Sequence, residues 1–148
     1  EVEIDLLVKG FIPNEYVPDL NQRLDLYRRI QLSTDINECM GLSREMIDRF
    51  GPYPEPIEKL LALLEIRMFC QKLHINKVYM KNGKVFLTLL PSTPVWPESL
   101  AVILDERLKM SSEFQIEILL DRKGWKKDLK VVSEYLQKLL KLLNDKKA

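Results

Sequence analysis

Histidine occurs once in the 148 residues, at His74, and cysteine twice, at Cys39 and Cys70. With so few ligating side chains, far apart in sequence, no metal-binding cluster and no Cys/His nucleophilic pair has the spacing it would need. His74 therefore reads as a helix-end or core residue. The five glycines are Gly10, Gly41, Gly51, Gly83 and Gly124, and no two are placed to build a GxxxxGK[ST] phosphate loop or a GxGxxG turn. Nucleotide binding by those means is excluded, and no cofactor is expected. Neither a transmembrane run nor a secretory signal is evident, and both cysteines fall inside apolar helical patterns. Buried thiols in a reducing compartment, the cytoplasm, are expected rather than a disulfide.

A surplus of one charge is missing as well. The net charge is +1, which gives no global reason to expect nucleic acid as a partner. The charge is divided, however: residues 1–66 carry 13 Asp/Glu against 7 Lys/Arg, and residues 67–148 carry 9 against 16. One half is acidic and the other basic.

What is present is enough for one core. A chain of this length, 46% hydrophobic and 30% charged, is long enough for one domain, residues 1–148, and short for two. Because it opens directly on a strand with no start methionine, it is read as a piece of something longer. Val2, Ile4, Leu6 and Val8 alternate against Glu3 and Asp5, with Leu7 breaking the polar side, and predict a strand near 2–9. Prolines at 13 and 18 make an ordered connector, and Asp19 caps a helix with a stripe of Leu20, Leu24, Tyr27 and Ile30. Ser33 to Asp35 cap the next helix, which runs to Phe50 and stops at Gly51. A helix over 55–73 is apolar on most of its circumference, the pattern of a buried helix.

Strands near 77–81 and 84–90 flank Asn82-Gly83, a type I′ hairpin turn. Pro97 starts a helix burying Leu100, Ile103, Leu104 and Leu108, with Trp96 as a core anchor. A strand near 114–120 follows, then an amphipathic helix from about Lys126 to Asn144 with a frayed tail at 145–148. The fold class is α+β: a small mixed or antiparallel sheet packed against about five helices.

Two clusters are candidate sites. Glu45 and Asp48, three apart on a helix, place both carboxylates on one face. As an acid/base pair they lack a pocket and a convergent partner, so a solvated face or an arginine-binding patch is the better reading. The segment Arg122, Lys123, Gly124, Trp125, Lys126, Lys127 is the best candidate for a nucleic-acid contact. Its plainer reading is a charged loop before the last helix, since one tryptophan is no stacking platform. The leucine-rich stripe of that helix has the width a core demands.

The run from Phe11 to Ile30, with its Ile-Pro-Asn-Glu-Tyr-Val-Pro-Asp-Leu opening, and the block Glu45-Met-Ile-Asp-Arg-Phe-Gly-Pro-Tyr-Pro-Glu-Pro56 closely resemble the C-terminal (TRCF) domain of bacterial transcription-repair coupling factor, Mfd. Beyond these blocks the resemblance thins to pattern level. It departs at Tyr53, where the family often has an aliphatic residue, and over Cys39–Gly41. The resemblance implies a non-catalytic C-terminal part of a multidomain protein, an ATP-dependent DNA translocase that acts on stalled RNA polymerase and recruits the excision-repair protein UvrA. It implies a regulatory clamp that docks on the UvrB-like module of the same polypeptide and masks the UvrA-binding surface. Glu45 and Asp48 fall on the family's acidic contacts and are implied to pair with arginines of that module. The alternative is a nucleic-acid-binding module using 122–127, with a salt-dependent affinity for DNA that the clamp would lack. On the preferred reading direct DNA binding is not expected, and no membrane partner is.

Overall fold

Aspartate, proline and glycine set the ends of the helices in the first half of the chain. In the computed structural model, which describes residues 1–147 with side chains as far as Asn144, Asp19 caps α1 (Leu20–Leu32) by accepting the Gln22 N–H at 2.9 Å. Asp35 caps α2 (Ile36–Phe50) by accepting that of Glu38, and the Glu38 carboxylate accepts the Thr34 N–H in return at 3.2 Å. These bonds satisfy amides that a helix start leaves without partners. Gly51 ends α2 at φ 87°, where a Cβ would be strained. The third helix, α3 (Glu55–Leu73), has the predicted bounds. Six of its apolar side chains, from Ile57 to Leu73, are buried.

The chain divides into two compact units, Val8–Met68 and a second built from residues 1–7 and the chain from Phe69 onward. In the first, Ile12 and Val17 of the proline-rich connector join Leu26 and Ile30 of α1, Leu42 and Met46 of α2, and Ile57, Leu64 and Met68 of α3 in one core. The connector is pinned as a strap. Phe11 donates its N–H to the Pro56 carbonyl at 3.1 Å, and Ile12 donates to the Tyr27 hydroxyl at 2.7 Å. Gly10 is where the strap comes closest to α3: a Cβ there would lie 2.5 Å from Leu60 Cα. Arg67 of α3 donates to the Ile30 carbonyl at 2.7 Å, closing the end of α1.

The second unit holds a mixed sheet in the order β1-β2-β3-β5-β4. Its strands are β1 (Glu3–Asp5), β2 (Ile75–Lys81), β3 (Lys84–Leu89), β4 (Leu108–Ser112) and β5 (Gln115–Leu119). β1 runs parallel to β2 and the other pairs are antiparallel. The hairpin turn has φ 52° at Asn82 and 76° at Gly83, the left-handed pair that a type I′ turn requires. Val78, Val85, Leu87, Ile116 and Ile118 are buried strand residues. The last helix, α5 (Trp125–Lys147), buries Leu129, Val132, Leu136 and Leu139. The sheet and the helices are those of the α+β expectation.

Several local expectations are corrected. β1 is shorter than 2–9 because Leu7 takes φ 59°, which an extended strand cannot continue through. On α1, Ile30 of the predicted stripe is buried, but Leu20 and Leu24 are more than half exposed, and Leu26, outside the stripe, joins Ile30 in the core. The helix at Pro97 is only α4 (Pro97–Leu100), since the Asp105 carboxylate accepts the N–H groups of Arg107 and Leu108 at 2.8 and 2.7 Å. A short acidic side chain that bonds its own following backbone competes with the helix, so Leu108 starts β4 rather than ending a helical stripe. Trp96 is 59% exposed and anchors no core. α5 continues past Asn144 to Lys147, while the expected frayed tail lies, for Ala148 and the side chains of 145–147, outside the described residues.

Candidate functional site

In the helical unit, Arg29 in the last turn of α1 reaches Glu45 in the middle of α2. Its two terminal nitrogens donate to the two carboxylate oxygens at 2.6 and 2.8 Å. Arg49, one turn further along α2, donates to Oε2 at 2.8 Å. Bidentate, charge-assisted bonds favour the ionised acid. The hydrogen bond from Arg29, and after it that from Arg49, hold the Glu45 carboxyl down to about 2, from 4.5. The same bond raises the Arg29 guanidinium above its usual range. So bound, the Glu45 carboxylate is the shared acceptor of two guanidinium groups, one on each helix.

Asp48 is different. It is exposed, and among the described residues it makes no ion pair or side-chain hydrogen bond. The exposed surface of α2 is apolar as well as charged: Met40 and Ile47, seven apart and so on one side of the helix, are 51% and 42% exposed, and Asp48 points about 100° round the helix from Ile47. Nearby, Arg29, Leu32, Glu38, Gly41 and Glu45 line an open groove, and a Cβ on Gly41 would meet nothing within 4 Å.

The strap braces the far end of α2. The Tyr16 hydroxyl lies 3.0 Å from the Met46 carbonyl oxygen and 2.6 Å from that of Gly51, so its one proton serves two helix-end acceptors. Its ring packs on Phe50 at 5.7 Å between centroids, and burial pushes its phenol above the ordinary value. Residues 11–30 and 45–56, distant in sequence, are thus one structural junction. Sequence reasoning missed Arg29, Arg49 and Tyr16. The Glu45–Arg49 spacing of four could have revealed Arg49, but no periodicity links Arg29 or Tyr16 to α2.

The other predicted residues lie in the second unit. Arg122, with φ 59°, and Gly124, with φ 112°, shape the loop from β5 to α5. Arg122, Lys123, Lys126 and Lys127 are exposed and Trp125, the first residue of α5, is partly buried. Arg122 Nε is 3.9 Å from the carboxylate of the buried Asp128. His74 ends α3 at φ 55° with Nδ1 2.9 Å from Ser92 Oγ. Cys39 and Cys70 are buried free thiols, and burial pushes Cys70 up to about 12. Among the described residues no group of three or more His, Cys, Asp or Glu could hold a metal ion. No described helix is long and apolar enough to cross a membrane.

Fold and junction define an α+β chain with a strap-braced helix pair, carrying an acid–arginine cluster and an exposed mixed face beside it. The family model for the TRCF domain matches residues 6–100, and the chain belongs to that family. It is 28% identical over 142 residues to the transcription-repair-coupling factor of Escherichia coli, covering 94% of this chain and 12% of that protein. With the Bacillus subtilis protein of the same name it shares 34% identity over 89 residues, 60% of this chain and 8% of the relative. The chain therefore spans about a tenth of the length of these relatives. Its fold matches a crystal structure of the C-terminal domain of transcription-repair coupling factor with a TM-score of 0.88 at 18% identity, covering 98% of this chain and 95% of the other.

Proposed function

We propose that this chain is a non-catalytic docking and autoinhibitory module of a cytoplasmic transcription-repair coupling factor, acting in transcription-coupled nucleotide excision repair. In this reading it binds the UvrB-like module of the same polypeptide through the outer face of α2 and covers the surface that UvrA would use. The observation that carries the reading is the composition of that face. Exposed Met40 and Ile47 form one side of α2, and an exposed, unpaired carboxylate at Asp48 stands about 100° round the helix from Ile47, so that the outer surface of α2 offers an apolar strip with a charge at its rim, as a protein interface requires.

Glu45 and Asp48 divide the work. Glu45 is already neutralised by Arg29 and Arg49, so its part is to fix the helix pair and offer its remaining lone pairs. Asp48 meets an arginine of the partner directly. An ion pair that desolvates on docking leaves a stranded arginine when the acid is removed, at a cost of about 2–5 kcal/mol. The test is calorimetric titration of the chain with the isolated UvrB-like module. Saturable binding that Asp48→Ala weakens at least about thirtyfold is expected, by the lower bound of that range. No binding by the folded parent chain would refute the reading.

A further inference from the structure

The sheet unit brings together two basic segments that are nearly forty residues apart in sequence. β3 pairs with β5 so that Lys84 is opposite Leu119, and the Leu120 N–H donates to the Gly83 carbonyl at 2.9 Å. A Cβ on Gly83 would lie 3.9 Å from the Arg122 side chain. The hairpin tip, with Lys81 and Lys84, is therefore packed beside the loop of Arg122, Lys123, Lys126 and Lys127. Of the acids nearby, Glu117 faces Lys84 at 3.4 Å, Asp121 is held by Arg107 at 2.8 Å and Asp128 is buried. Among the described residues Lys81, Lys123 and Lys127 make no ion pair, and all three are exposed. The N-terminus of α5 opens at the same place and adds the positive end of its dipole.

We propose that this end of the sheet is a sequence-independent contact for the phosphate backbone of duplex DNA. Density of negative charge is what the cluster matches, and base reading is not: the one aromatic of the loop, Trp125, is partly buried in the first turn of α5 rather than presented as a stacking platform. The site lies in a different unit from α2 and does not depend on the docking role; it gives the chain a DNA affinity that the preferred reading of the sequence does not expect, carried by the juxtaposition of the hairpin tip with the 122–127 loop.

Lysine contacts to about four phosphates give a salt slope of about −3.6, so affinity falls about 150-fold between 50 and 200 mM salt. The experiment is fluorescence anisotropy of the 148-residue chain with a labelled 20-base-pair duplex over that range, with parallel titrations of a single strand and a poly-glutamate peptide. The triple variant Lys81→Gln, Lys123→Gln, Lys127→Gln should reduce the slope by between two and three and leave the melting temperature unchanged. Arg44→Gln, on α2, should bind like the parent chain. Tighter binding to the duplex than to either the single strand or the peptide is expected; absence of duplex binding at 50 mM salt, an unchanged slope in the triple variant, or preference for the single strand or the peptide over the duplex would each overturn the proposal.

Discussion

Gly10→Ala puts one methyl group into the tightest approach of the helical unit. Two effects oppose each other. Gly10 is not in the left-handed region, so alanine restricts the unfolded chain and by itself stabilises by about 0.4–1 kcal/mol. Against this, the new Cβ would lie 2.5 Å from Leu60 Cα and closer still to the Leu60 nitrogen. Those are backbone atoms of α3, which cannot rotate away as a side chain could. Either the strap or the helix must shift, loosening the Phe11 to Pro56 hydrogen bond and the packing of Ile12. Overpacking of this kind costs about 1–3 kcal/mol, and the clash with backbone places the cost at the upper end. The net is a loss of about 2 kcal/mol, or about 4–8 °C in melting temperature for a chain of this size. Circular dichroism melts of parent and variant decide it. An equal or higher melting temperature would show that strap and helix do not meet as closely as described.

Gly41→Ala should do the opposite. Inside α2, with nothing within 4 Å of its Cβ, alanine should raise stability by about 0.5–1 kcal/mol in urea denaturation; a loss would mean the groove is filled. Leu64→Ala, at a 3% exposed position, should cost about 2–5 kcal/mol in the same assay, and a cost under about 1 kcal/mol would place the α3 core elsewhere. Glu45→Gln tests the arginine cluster through pH. Because the folded carboxyl is lowered to about 2 from 4.5, its charge stabilises the fold above about pH 4.5, and that advantage disappears as pH falls towards 2. Exposure of the pair limits the effect to about 1 kcal/mol. A stability gap between parent and Glu45→Gln that is the same at pH 6 and pH 2.5 would refute the assignment.

Much of the fold was legible because local chemistry agreed with it. Asp19, Asp35, Gly51 and Asn82-Gly83 each act on their immediate neighbours, so caps and turn followed directly from sequence, and the density of apolar residues over 55–73 marked α3 as buried. What was hidden depends on contacts across the chain. The stripe Leu100, Ile103, Leu104, Leu108 has helical spacing, and only the bonds from Asp105 to its own following backbone, with Tyr135 donating to its other oxygen at 2.7 Å, turn it into a loop and β4. The α1 stripe misled in its first half for a related reason: Leu20 and Leu24 have the period of a core face that includes Ile30, but the core takes Leu26 with Ile30 and leaves Leu20 and Leu24 outside. At the candidate site, the acidic spacing of Glu45 and Asp48 was visible, while the asymmetry between them was not. It depends on Arg29, sixteen residues away and on another helix.

The central claim is that α2 holds a clamp closed over the UvrA-binding surface of a longer polypeptide, with Asp48 as the docking carboxylate. Recovery of the full-length protein on immobilised UvrA, without RNA polymerase, tests it most directly. Weakening the closed state by about 2 kcal/mol or more lowers the ratio of closed to open protein at least about thirtyfold. The Asp48→Ala protein, and the Glu45→Ala, Asp48→Ala double variant, should therefore be retained where the parent is not. Equal recovery of parent and correctly folded variants would contradict the account.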